Sequence, residues 1–480
     1  MGSPFKTLVI REIQGAIIDF RFWVVMILCL CIIPLSFYVS VRSYSQRLSD
    51  CHQEVQSYQD KSNVHANLEA EGVRPPSPLS IFSKGLDYKM PYKVITSRDG
   101  NYQIEYAKPD NKKDLLGELD FAFIVSFVLS ILAIVFTFSC ISGDKENGIL
   151  RLVLSNPVLR RQMLVAKLLG NYLVFLVPFL LSLFIALIIV YMSGMVPVFS
   201  SEFLPAILVM VGISLLFLLV MFCLGLWIST LTRNSVLSIN VLLLIWIALG
   251  LVVPKLSPII GAAIYPVEST GVFESRKALL RHNIIKEQNK EEEDLYEKLR
   301  AQFRPGTEGV SYDWTDINSA YDELVLPIRD KYEQLLASET DKLVNDYNMR
   351  CNKQNNVARS IARLSPINAV NSLLAEFSGT GYSEVDNFMQ QAKQYQADVK
   401  QNYYDKVKIK TYRAKNASMS GSSLSESEKL PEEVPVLENY KYVSISQIFQ
   451  QNWVDIALLG FYCMLFFVCS FVSFLRFDVR

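Results

Sequence analysis

The stretch LLGNYLVFLVPFLLSLFIALIIVYM, Leu168–Met192, carries no charged residue and begins directly after Lys167. An apolar run of about 20 residues crosses the roughly 30 Å hydrocarbon core of a bilayer as one helix. Five more runs read the same way: Phe22–Val41, Leu119–Ile141, Phe203–Leu231, Val236–Val253 and Val454–Phe474. Asp120 and Asp455 stand at the ends of their runs, where water is near, and Pro34, Pro178 and Pro205 are of a kind that membrane helices tolerate because neighbours satisfy the freed carbonyls. The pattern predicts a mainly α membrane protein with six transmembrane helices.

The remaining composition agrees with spans joined to polar domains. Of 480 residues, 51% are hydrophobic and 20% charged, with 47 Lys+Arg against 47 Asp+Glu, and the mean hydropathy is +0.23. So apolar a chain is not disordered over its length. Zero net charge removes the basic field that phosphate contacts need, which excludes nucleic acid as a partner class. Lys6, Arg11 and Arg21 precede the first run, but the run exceeds a signal-peptide core and no small-x-small cleavage pattern follows, so it reads as an uncleaved anchor.

Orientation follows from basic residues close to span ends. With the N-terminus inside, the inner segments hold Lys6, Arg11, Arg21, Lys145, Arg151, Arg160, Arg161, Lys167, Arg233, Arg476 and Arg480, whereas the short outer loop Ser193–Glu202 has no Lys or Arg. Both termini are then cytoplasmic, and two long segments, Arg42–Glu118 and Lys255–Trp453, lie outside. Cys29, Cys31, Cys140, Cys223, Cys463 and Cys469 fall in spans, where a thiol acts as a small apolar side chain. Cys51 and Cys351 fall outside, one in each long segment. They are candidates for a disulfide if their Cα atoms come within about 7 Å; the alternative is two unrelated thiols.

In the first outer segment, Tyr44, Leu48, Cys51, Val55, Tyr58, His65 and Leu68 recur at helical spacing and extend the first span outward until Arg74-Pro75-Pro76-Ser77-Pro78 forbids a helix. Tyr92–Thr96 and Tyr102–Tyr106 flank Arg98-Asp99-Gly100-Asn101 as a hairpin, which needs a surface to pack on; the second outer segment is the candidate. That segment predicts long amphipathic helices over Glu274–Phe303, Asp316–Leu364 and Ser383–Tyr412, packed as a coiled-coil-like bundle. The bundle is either a periplasmic docking or gating domain with its own partner or a solvated lid without one. Ala417–Glu433, rich in Ser and Glu, reads as a linker.

Chemistry of other kinds is poorly supported. No Gly-x-x-x-x-Gly-Lys-Ser/Thr phosphate cradle occurs, no run has a central ionisable residue for ion-coupled transport, and no Gly-x-Ser-x-Gly elbow occurs. His52, His65 and His282 stand alone on polar helices without metal-ligand spacing. The reading is a non-enzyme with no cofactor or metal of its own.

The loop between the second and third runs is the informative element. Within Ser142–Lys167, a short helix between Asn147 and Ser155 groups Leu150, Val153 and Leu154, and Asn156-Pro157 closes it. A short apolar-faced helix bracketed by charge suits a groove on a partner, the alternative being a helix resting on membrane lipid. The pattern Glu146-x-Gly148-x-Leu150, Leu154-Ser155-x-Pro157-Val158-x-Arg160, Lys167-Leu168-Leu169 resembles the corresponding loop of ABC-2-type permeases, the transmembrane subunits of ABC transporters. Ile10-Arg11-Glu12 and Asp19-Phe20-Arg21-Phe22-Trp23 are similar to that family's amphipathic connecting helix. Arg74–Ser80 with Gly85, Leu364-Ser365-Pro366-Ile367-Asn368 and Phe377-Ser378-Gly379-Thr380 resemble its subgroup with two enlarged extracytoplasmic loops.

The resemblance implies a type V, ABC-2 exporter-like arrangement in a bacterial inner membrane, with a helical extracytoplasmic domain and a small β-hairpin. It implies that Glu146, Gly148, Leu150, Leu154, Ser155, Pro157 and Arg160 couple to cytosolic ATPase subunits, which hold the ATP and Mg, and that Arg11, Glu12 and Arg21 belong to the connecting helix. It also implies a second permease subunit, identical or sibling. Leu256–Ile264, among Pro254, Pro258 and Pro266, stands where the family has a re-entrant hairpin. The rival function is mechanotransmission or sensing, in which the outer helices move and nothing is transported.

Overall fold

A computed structural model describes residues 4–64, 70–96, 102–106, 119–154, 159–201, 203–302, 314–401 and 440–476. Among the described residues six helices are long and apolar enough to cross a membrane, one for each apolar run. A first helix, α1 (Pro4–Ile18), ends at Asp19, whose carboxylate accepts the Arg21 N–H at 3.0 Å and so caps α2 (Phe20–Val64). With 45 residues, α2 is about 67 Å long, and the outward extension read from Tyr44 onward is one helix with the first span.

The second span, α3, opens with Phe121–Phe123, widens to a π-helix over Ile124–Leu129 and returns to α geometry over Ser130–Thr137. Two short helices, α4 (Ser142–Glu146) and α5 (Ile149–Leu154), lead to α6 (Arg160–Ser193) and α7 (Leu204–Leu231). The fifth span, α8 (Ser235–Ile247), passes through a π-helical turn, Ala248–Val252, into α9 (Val253–Ile264). After α10 (Thr270–Gln302), α11 (Trp314–Ala362), α12 (Pro366–Phe377) and α13 (Tyr382–Val399), the chain ends in the sixth span, α14 (Ile445–Arg476).

Leu256–Ile264 is therefore not a hairpin. It lies in one helix that prolongs the fifth span, since prolines are tolerated where neighbours meet the freed carbonyls. The short buried helix is instead α12. Ser365 caps it by accepting the Asn368 N–H at 3.2 Å, and Ile367, Val370, Leu373, Leu374 and Phe377 are buried in the same apolar core as α7 and α14.

Two compact units emerge, Met1–Pro254 with Ala362–Arg480, and Lys255–Ile361. In the first, the centre is apolar and aromatic: Phe82 packs edge to face on both Phe37 and Phe121, and Phe121 stacks on Phe179. Spans α3 and α7 approach so closely that a Cβ on Gly225 would stand 1.8 Å from Thr137 Oγ1. The two π-helical segments lie beside one another: Trp246 Nε1 donates to Ser130 Oγ at 2.8 Å, and Gly250 leaves room for Ile367 of α12.

At one end of this unit an antiparallel sheet has the order β1 (Ala70–Val73), β2 (Pro91–Thr96), β3 (Tyr102–Tyr106). The hairpin read from sequence is β2–β3, and β1 joins it with Gly72 opposite Val94. Its packing surface comes from the second long segment, as expected: Ala70, Val94 and Tyr58 cluster with Phe388, Ala392, Tyr395 and Val399 of α13. That use of the α13 stripe removes it from the predicted three-helix bundle. In the second unit, α10 and α11 pair antiparallel, Phe273 stacking on Tyr347 at 4.1 Å and Glu292 meeting Arg329 at 2.9 Å.

Candidate functional site

The loop between α3 and α6 is held in place residue by residue. Where α3 ends, the N–H groups of Ile141 and Ser142 both donate to Ser229 Oγ of α7 at 3.0 Å. Asp144, Lys145 and Glu146 then each reach a different helix. Asp144 Oδ2 is 2.9 Å from Lys167 Nζ at the start of the third span. Lys145 Nζ donates to the carbonyls of Thr230 and Thr232 at the C-terminal end of α7. Glu146 Oε2 accepts the Ser235 N–H at 3.1 Å at the start of α8, where Asn234 also caps Leu237 N–H. A cation on last-turn carbonyls and an anion on first-turn N–H groups both complement the helix dipole. Gly148 ends α4 at φ +71° with nothing within 4 Å of a built Cβ, so backbone conformation, not space, calls for glycine there.

The connecting helix is fastened to the same point. Lys167, 7% exposed, sits between Asp144 and Glu12, whose Oε1 is 3.2 Å from Nζ. A buried ammonium between two carboxylates is satisfied where a lone one would not be. Gly170, one turn along α6, lets α1 lie close: its Cβ would stand 2.7 Å from Glu12 Cβ. Arg21 ties the start of α2 to the end of α3, donating to Ser139 Oγ at 2.7 Å and lying 4.5 Å over the Phe138 ring. Arg160 donates to the Leu475 carbonyl at 3.0 Å in the last turn of α14. Arg11 is exposed.

The expected apolar docking face is different in detail. Leu150 is 2% exposed and belongs to the protein's own core, while Ile149 and Leu152 are 41% and 70% exposed. The sequence spacing placed Leu150 outward because it assumed a solitary helix; α4 and α5 rest on the bundle and turn that face in. Leu154 closes α5, and its side chain, with Ser155 and Pro157, lies outside the described residues. Asp144, Lys145, Lys167, Ser229 and Asn234 were not among the residues expected to act. Their signal was present, as three successive charges directly after a span and a lysine directly before the next.

The motifs at the other end also meet. Ser77 Oγ donates to the Ser378 carbonyl at 2.7 Å, Leu86 N–H to the Thr380 carbonyl at 2.9 Å, and Thr380 Oγ1 to the Ser83 carbonyl at 3.0 Å. Gly85 and Gly379, at φ +44° and +68°, sit where a Cβ would strike Thr380 and Ser77 respectively. Asp120 accepts N–H groups of Phe123 and Lys84 at 2.7 and 2.8 Å. On α14, Asp455 pairs with Arg363, Nε lying 2.6 Å from Oδ1, and Tyr462 donates to the Arg363 carbonyl. Cys51 and Cys351 carry free thiols, one in each unit.

Among the described residues no group of three His, Cys, Asp or Glu side chains is arranged to hold a metal ion. A family model described as ABC-2 family transporter protein matches residues 7–479. No curated protein matches the chain.

Proposed function

The chain belongs to the ABC-2 family of transporter proteins, and from that membership we propose that it is the permease through which a substrate is exported across a bacterial inner membrane, with both termini in the cytoplasm. Membership and the six apolar helices make it a multi-pass membrane protein and a permease of an ABC transporter. In our reading two such subunits, identical or siblings, pair in the membrane. Two separately encoded ATPases bind at α4–α5 and supply the ATP and Mg chemistry.

One observation carries this reading: three consecutive side chains of α4 engage the ends of α6, α7 and α8, and the first also meets, through Lys167, the connecting helix. A force applied at α5 would pass into α4 and, through these side-chain contacts, reach three spans and α1 together. Arg160 extends the connection to α14. Of the residues expected from sequence, Glu146, Gly148 and Arg160 then shape the hub, Glu12 and Arg21 join the connecting helix to it, and Ile149 and Leu152 face the ATPase in place of Leu150. The π-helical segments of α3 and α8, with the Trp246–Ser130 hydrogen bond, favour a path beside those two spans. The test is co-purification of the ATPase with Leu152→Asp: loss of the complex at unchanged permease yield supports the site, and full retention rejects it.

Mechanotransmission is the second reading. It is favoured by α11, whose 49 residues extend about 73 Å and end one residue before Arg363, which pairs with Asp455 on the sixth span. Vesicle uptake that proceeds with ATP would decide for transport; ATP-driven movement of α11 without it would decide for transmission.

A further inference from the structure

Arg74, in the motif before the first 3₁₀ turn, is 5% exposed. Its backbone N–H donates to the Tyr92 carbonyl at 2.7 Å and its Nη2 to Asp87 Oδ1 at 2.9 Å. The other Asp87 oxygen pairs with Arg47 of α2, which also donates to Ser80 Oγ at 3.0 Å. One buried carboxylate thus answers two guanidinium groups. Arg74 Nε and Nη1 are buried and have no acceptor among the described residues.

Nearby acceptors are already engaged. The Pro75 and Pro76 carbonyls take the Tyr442 hydroxyl at 3.0 and 3.2 Å. Glu384 accepts the Tyr440 hydroxyl, the Val443 N–H and Asn387 Nδ2. A buried cation with two idle donors is a costly arrangement unless something accepts from them. The planar fork of a guanidinium matches the paired oxygens of carboxylate and phosphate groups.

We propose that this seat binds an oxyanion, of phosphate or carboxylate type, whose oxygens accept from Arg74 Nε and Nη1. The bound charge balances the second guanidinium and leaves the Arg74–Asp87 bond intact. Two sources share this chemistry. Arg47 lies six residues past the apolar run that ends at Val41, about 9 Å along α2, which is headgroup height; the oxyanion is either a lipid headgroup or a free solute. The inference is independent of how the permease is driven.

The test reads the thermal unfolding midpoint. Because phosphatidylcholine itself carries a phosphodiester, the reference state is the full-length protein in phosphate-free maltoside micelles. One arm titrates inorganic phosphate against chloride at equal ionic strength; the other adds phosphatidylglycerol to the micelles without added phosphate. A rise in midpoint in the first arm assigns a free oxyanion and a rise in the second a headgroup, provided that Arg74→Gln abolishes it. Arg74→Lys, which keeps a charge but lacks both donors, serves if the glutamine variant does not fold, and it too must lose the rise. No rise in either arm, or an equal rise in the variant, overturns the proposal. So does a density map in which both donors meet only features of single-water size.

Discussion

Replacing Leu152 by Ala separates docking from folding. Fully burying a leucine side chain is worth about 1.5–3 kcal/mol, and Leu152 is 70% exposed in the chain. Covering that share beneath an ATPase contributes about 1–2 kcal/mol, or roughly 5–30-fold in affinity for each loop. The free permease has little to lose at an exposed site, and its unfolding midpoint should stay constant. Leu150 is the opposite case. At 2% exposure, its truncation leaves a cavity and costs about 2–5 kcal/mol of stability. ATPase affinity measured by surface immobilisation, beside thermal unfolding of the permease alone, reads both effects. If Leu150→Ala weakens ATPase binding at unchanged stability while Leu152→Ala does neither, the inward and outward faces of α5 have been assigned wrongly.

Three other outcomes follow from the same geometry. Lys167→Met strands two carboxylates; removing one partner from a buried pair costs about 3–5 kcal/mol, which falls to about 2 kcal/mol here because Asp144 and Glu12 reach water at 20% and 28%, and adding Asp144→Asn should restore part of the lost unfolding midpoint. Gly148→Ala should cost about 1–2 kcal/mol, the left-handed backbone alone, whereas Gly85→Ala should cost more in the same denaturation assay because its Cβ would lie 2.6 Å from Thr380 Oγ1. Arg329 holds the Glu292 carboxyl down to about 2, so the pair's contribution is complete above the ordinary glutamate value of 4.5 and is lost as pH falls towards 2. With Arg329 half exposed that contribution is about 1 kcal/mol, and amide protection factors along α10 and α11, corrected for the intrinsic pH dependence of exchange, should fall below pH 4.5 in the natural chain but not in Glu292→Gln.

The spans were legible because hydrophobicity over about 20 residues is a strong, local signal. Their true starts were not: α6 begins at Arg160 and α14 at Ile445, in polar turns whose helical state depends on partners elsewhere, such as Leu475 for Arg160. The β2–β3 hairpin was visible as two short β-rich runs about a turn, while β1, with Glu71 and Gly72, has no such composition and exists because β2 offers it an edge. The α13 stripe was seen, but a stripe does not name its partner, and the sheet rather than the other long helices covers it. At the proposed coupling loop the motif drew attention to Leu150, and the structure turns that side chain inward. The Glu146 carboxylate also accepts from Ser235 N–H; that pairing spans two distant loops and leaves no periodic trace.

The central claim is that ATPase movement enters the membrane through α4. It is tested most directly by spin labels at Leu251, an exposed position at the far end of the fifth span, on both permease subunits of the assembled complex. With ATP and vanadate, the distance between labels should change in the natural complex. It should remain at its nucleotide-free value in the Asp144→Asn, Lys145→Met double variant, which still binds the ATPase through Leu152. An unchanged ATP-driven shift in that variant would contradict the account.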